Sequence, residues 1–117
     1  MTDVLKNDIA QTNLLSKERV CVPLVKIKRS EWAFELKIVA PGIRKEDFSL
    51  EIANGVMIVQ GRTAIILETN MAMQYSKAYE YISFSREFLL PQNVDVSKIE
   101  VSYDYEILEV HLHRVQH

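Results

Sequence analysis

The 117-residue chain carries 14 Lys and Arg against 16 Asp and Glu, a formal net charge of −2, with 48% hydrophobic and 26% charged residues. This composition describes one globular domain with a buriable core, not a disordered chain. It excludes the basic footprint of a nucleic-acid binder and the Lys/Arg run that an anionic membrane attracts, and the apolar runs are too short to span a bilayer.

Residues 1–21 read as a flexible N-terminal arm. Leu5, Ile9, Leu14 and Leu15 would share a face on a short helix, but polar residues separate them loosely. The segment lacks the charged lead-in and apolar stretch of a secretion signal, so a cytoplasmic location is expected. Cys21 is the only cysteine, which excludes an internal disulfide and reads as a reduced thiol.

From Pro23 onward the apolar residues recur at every second position, the period of strands with one buried face. Val25 and Ile27 alternate with Lys26 and Lys28. Phe34, Leu36 and Ile38 alternate with Glu35 and Lys37, and Pro41 with Gly42 closes that strand in a turn. Phe48, Leu50 and Ile52 predict the next strand, Asn54 and Gly55 have the chemistry of a tight hairpin, and Val56 to Gln60 runs back. Further on, Ile99, Val101 and Tyr103 alternate with Glu100 and Ser102, and Leu108, Val110 and Leu112 with Glu109 and His111. Strands so closely spaced, with no segment of helical period between them, predict an all-β fold, an antiparallel immunoglobulin-like β-sandwich.

Residues 62–83 interrupt this rhythm for 22 positions. A structureless insert of that length is uncommon in a compact domain, and Ile65, Ile66, Leu67, Met71 and Met73 would form an exposed apolar patch if it hung in solvent. The expectation is a hairpin-like arm that adds a strand to a neighbouring copy and covers its edge, giving a homodimer by strand exchange with Tyr75 also at the interface. Directly afterwards comes SFSREFLLP, Ser83 to Pro91. Phe84, Arg86, Phe88 and Leu90 share one parity, so a guanidinium falls on an apolar strand face. It must project at a sheet edge or meet a carboxylate across an interface, because burying it unpaired is too costly.

Motifs for chemistry are missing. There is no G-x-S-x-G elbow, Gly-rich phosphate loop or Cys-x-x-Cys, and three glycines leave little with which to cradle a nucleotide. Neither an enzyme nor a cofactor is expected. Glu46 and Asp47 follow a turn and read as a solvated corner. His111 and His113 share one strand face, with His117 nearby; such a pair suits a divalent metal, but without a third ligand of fixed geometry it reads as a solvated strand end, and no metal is expected.

Taken together, these stretches resemble the alpha-crystallin domain of the small heat shock proteins, in its bacterial and plant branch. SFSREFLLP resembles the family's F-x-R-x-F-x-L-P strand, VAPGIRKEDFSLEI its strand, Pro-Gly turn and following strand, and GVMIVQGR its G-V-L-x-I-x-G segment. The resemblance runs from about Val22 to Leu112. It implies a domain at 22–113, a swap arm at 62–83 and a short C-terminal tail at 114–117. It also implies a holdase, an ATP-independent chaperone that binds unfolded or partly unfolded clients and suppresses their aggregation. Arg86 takes the place of the interface arginine, and the client groove is expected between the strand of Leu50 and Ile52 and the strand of Val101 and Tyr103, with Ile99 added.

Two positions depart from the family pattern. Glu106 in VSYDYEILEV stands where the last hairpin has glycine, so that turn is expected to adopt another type or to use Asp104. No I-x-I motif stands among His113 to His117, which leaves assembly beyond the dimer open. The alternative reading is a sandwich resembling the CS-domain co-chaperones, which bind one folded partner. The 62–83 excursion and SFSREFLLP speak against it.

Overall fold

The computed structural model describes residues 16–71 and 74–115, where the alternation read from the sequence becomes eight strands. One sheet runs in the order β1 (Ser16–Val20), β6 (Gln74–Leu89), β5 (Val56–Met71), β4 (Phe48–Ala53). The other runs β2 (Leu24–Arg29), β3 (Ala33–Val39), β8 (Ile107–His113), β7 (Glu100–Asp104). All pairings are antiparallel except β1 on β6, which is parallel. The fold is therefore the expected all-β sandwich.

The two-residue period builds its core. Phe34, Leu36 and Ile38 of β3 and Leu108, Val110 and Leu112 of β8 all point inward and are buried. From the facing sheet Met57 and Val59 of β5 and Phe84 and Phe88 of β6 join them in one cluster. Burying a side chain of this kind is worth about 1.5–3 kcal/mol, and this contact is what holds two hydrogen-bonded sheets face to face.

The strand expected at Val25 and Ile27 forms, but not as one with a buried face. Every residue of β2 is exposed, Leu24 at 73%, because β2 is the last strand of its sheet. Lys26, Lys28 and Arg29 place three positive charges along that open edge.

The turns follow residue chemistry, with one exception. Ala40 to Ile43 makes a type II turn: the Ile43 N–H donates to the Ala40 carbonyl at 3.1 Å, with Gly42 at φ 87°. Asn54 and Gly55, at φ 53° and 77°, make the two-residue hairpin turn their sequence predicts. The last hairpin corrects the expectation for Glu106. Asp104 pairs with Ile107, and the left-handed positions fall on Tyr105 and Glu106 at φ 50° and 66°. A two-residue turn with both φ positive matches the twist of the flanking strands, so register prevails over local preference. The double substitution Tyr105→Asn, Glu106→Gly is expected to stabilise the fold by about 1 kcal/mol, the relief of two left-handed residues less the entropy that glycine gives the unfolded chain. A urea titration measures it.

The described residues of segment 62–83 are regular. β5 and β6 pair continuously from Val56 with Leu89 to Met71 with Gln74. At ~3.3 Å per residue these 16-residue strands make a ribbon roughly 50 Å long, which accounts for the 68 Å long axis of a molecule 40 and 21 Å across. The arm leaves the sandwich, but its ladder is made within the chain and does not wait for a partner. β4 covers β5 only as far as Gly61, so among the described residues the outer edge of β5 from Arg62 onward is unpaired.

Within the segment read as a flexible arm, Ser16–Val20 forms β1 and lies on Tyr79 to Ser83. Glu18 accepts two bonds from Arg62, at 3.0 and 3.4 Å, and Arg19 pairs with Glu80 at 3.1 Å. Arg62 also stacks 3.7 Å over the Tyr81 ring, so one guanidinium ties β1 to the ribbon.

Candidate functional site

β4 and β7 are the last strands of their sheets on the same side of the sandwich, and each bonds only one neighbour among the described residues. Their outer backbone groups therefore lie open beside one another. Between them runs a shallow groove of about 200 Å³, lined by Phe48, Leu50, Val101, Tyr103 and Leu108, with Lys45, Ser49 and Ser102 on its rim. Aromatic contacts fix its floor: the Phe48 ring lies 5.6 Å from Tyr103 and 5.8 Å, edge-on, from Phe84. The Tyr103 hydroxyl reaches the Ile43 carbonyl at 3.5 Å.

Of the residues named for this groove, Leu50, Val101 and Tyr103 line it, and Val101 is 52% exposed. Ile52 and Ile99, half-buried against the core as Leu50 and Tyr103 also are, are not part of that lining. Phe48 and Leu108 were missed as lining residues. Their parity marks them as inward-facing, and parity cannot separate a groove floor from a core.

Asp47, read as a solvated corner, anchors the start of β4. Its carboxylate accepts the Thr63 hydroxyl at 2.7 Å and the Arg44 Nε–H at 2.9 Å, while Thr63 Oγ1 accepts the Arg44 backbone N–H at 2.9 Å. These bonds, that from Thr63 first, hold the Asp47 carboxyl below the usual carboxylate range. Thr63 is buried on a strand 16 residues away, which no local pattern reveals.

Arg86 lies on β6 opposite Val59, between the buried Phe84 and Phe88, at a height where β1 has already ended. It is half-buried, donates to the Ser85 carbonyl at 2.9 Å, and meets no carboxylate among the described residues. With Arg62, Ser49, Gln60 and Ser85 it lines a hollow of about 510 Å³. That hollow, lined also by Val20, Asp47 and Phe84, is larger than the groove but does not lie between two open strand edges.

On the arm, Ile65 is half-buried and Ile66 and Leu67 are 51% and 48% exposed. Met71 and Tyr75 occupy ladder positions in β5 and β6, and Met73 lies outside the described residues. The two ends of the strand-exchange expectation, the arm residues and Arg86, thus belong to one hairpin. No helix among the described residues is long and apolar enough to cross a membrane.

Residues 26–117 match the model of the Hsp20/alpha crystallin family. The chain is similar to a chloroplastic heat shock 22 kDa protein of Chlamydomonas reinhardtii, 36% identical over 87 residues that cover 72% of this chain and 55% of that protein. It is also similar to small heat shock protein C2 of Rickettsia felis, 24% identical over 95 residues, 81% of this chain and 62% of that one. The chain thus spans little more than half the length of these curated relatives. Among solved structures, heat shock protein 16.0 of Schizosaccharomyces pombe superimposes with a TM-score of 0.63 at 22% identity, covering 80% of this chain and 87% of that one. A small heat-shock protein of Xylella fastidiosa gives 0.60 at 22%, covering 82% and 88%. At such identities the likeness is one of fold.

Proposed function

The chain belongs to the Hsp20/alpha crystallin family, and from that premise we propose that it is an ATP-independent holdase, a chaperone that captures partly unfolded proteins and slows their aggregation. The observation that carries this reading is the β4–β7 groove, where two open strand edges flank an apolar, aromatic-floored channel. An extended client segment can hydrogen-bond to either edge while its alternate side chains enter the channel, which requires no particular client sequence. Capture then competes with client–client contact and consumes no nucleotide.

The size of the groove limits what one chain can do. Two apolar side chains buried there are worth about 3–6 kcal/mol before the costs of association, less than the ~8 kcal/mol of a micromolar complex. Useful retention therefore calls for several grooves acting together. Pairing of copies supplies them. The open outer edge of β5 with the exposed Ile66 and Leu67 on the arm offers one surface to bury, and the exposed edge strand β2, with Leu24 and Ile27, offers a second. We infer a homodimer in which the arm of one copy covers the β2 edge of the next, with Arg86 as the interface arginine whose carboxylate the second copy supplies. With Cys21 as its only cysteine, the chain suits the reducing cytoplasm.

The test is light scattering from a heat-labile enzyme warmed with equimolar chain. The wild type is expected to suppress scattering, and Leu50→Lys with Val101→Lys, which puts two charges beside Lys45, is expected to lose most of that suppression while keeping the native mass. No suppression by the wild type overturns the holdase; full suppression by the variant overturns the groove.

A further inference from the structure

The outward histidines of β8 stand in a setting that client capture does not use. His111 and His113 have ring centroids 4.7 Å apart. Each is held by a carboxylate from a neighbouring strand: His111 Nδ1 lies 3.0 Å from Glu35 Oε1 of β3, and His113 Nε2 lies 2.8 Å from Glu100 Oε1 of β7. Both rings remain partly open to solvent, at 35% and 51%.

In a neutral imidazole one nitrogen carries hydrogen and the other a lone pair, and a nitrogen facing a carboxylate is the one that donates. Nε2 of His111 and Nδ1 of His113 are thereby left as the basic nitrogens. A carboxylate behind the imidazole is the usual means of fixing the tautomer and orientation of a metal-binding histidine. Two imidazoles sharing one ion, with metal–nitrogen bonds of ~2.0–2.1 Å, have centroids roughly 5 Å apart. The observed 4.7 Å between the two β8 rings is close to that spacing.

We propose that His111 and His113 form an open chelating site for a divalent transition-metal cation of the Zn²⁺ and Cu²⁺ class, with Glu35 and Glu100 as positioning residues and water completing the coordination. Imidazole donors suit these ions and not Mg²⁺ or Ca²⁺. Among the described residues no group of three or more His, Cys, Asp and Glu side chains closes around an ion, so the site is a two-imidazole chelate at the surface and not a structural cage. An ion there would span β8 and, through the carboxylates, brace β3 and β7 beside it.

The experiment is calorimetric titration of the full chain with Zn²⁺ at pH 7.5, with Mg²⁺ as the control ion. One Zn²⁺ per chain is expected, lost in His111→Ala and in His113→Ala, retained in His117→Ala, and weakened about 10–100-fold in Glu35→Gln or Glu100→Gln. The substituted side chains of β3, β7 and β8 lie on a solvated face, and an unchanged circular dichroism spectrum checks that each variant folds. Binding that survives in both His111→Ala and His113→Ala, equal binding of Mg²⁺, or no heat from the wild type each overturns the site.

Discussion

Replacing Gly61 with alanine is expected to destabilise the protein by about 1–3 kcal/mol, the usual cost of one methyl group too many in a packed core. At roughly 4–8 °C per kcal/mol for a domain of this size, the loss is visible in a melting curve. Gly61 lies on β5 opposite Phe84 of β6 and Phe48 of β4. A Cβ there would stand 2.7 Å from Ile43 Cγ2 and 2.7 Å from Phe84 Cε1. Neither neighbour can retreat, since Ile43 and Phe84 are 3% and 4% exposed and Phe48 abuts the Phe84 ring edge-on. Gly55→Ala makes the contrast. It has nothing within 4 Å but φ 77°, so only the left-handed backbone opposes it, at about 1 kcal/mol. Equal losses in the two variants would show that the crowding at Gly61 is not what the glycine serves.

Shortening the arm is expected to abolish self-association without unfolding the chain. Deleting residues 67–78 and joining Ile66 to Tyr79 through Asn-Gly keeps their cross-strand pair and closes it with a favoured two-residue turn. The contacts of β1 with Tyr79 to Ser83, and the Glu18–Arg62–Tyr81 fastening, are untouched. What disappears is the distal ribbon with its open edge and the exposed Leu67. Sedimentation should report a dimer or larger for the full chain and a monomer for the shortened one, and suppression of scattering should drop severalfold because single grooves hold clients too weakly. An unchanged native mass on deletion would end the case for the arm as the dimer element, and a monomeric full chain would end it sooner.

Alternation of side chains gave β2, β3, β4, β7, β8 and the sandwich ends of β5 and β6, and residue chemistry the Asn54–Gly55 and Pro41–Gly42 turns, because period two and positive φ are local properties carried by residue type. The same alternation overstated β2. Its Val25 and Ile27 look like a buried face, yet whether a face is covered depends on which strand ends the sheet. It likewise placed Leu50, Ile52, Ile99, Val101 and Tyr103 on inward parity without telling which of them border the groove, and only Leu50, Val101 and Tyr103 do.

By its own order of residues the chain determined its strands, its inward faces, most of its turns and the family it resembles, because those rest on chemistry within a few positions. Tertiary structure alone decided that 62–83 is a self-paired ribbon, that β1 lies on it, that Tyr105 and Glu106 accept left-handed backbone, that Thr63 holds Asp47, and that Glu35 and Glu100 stand behind two histidines. Each of these joins groups far apart in the chain or subordinates a local preference to register, and that information exists only once two sheets have closed on one core.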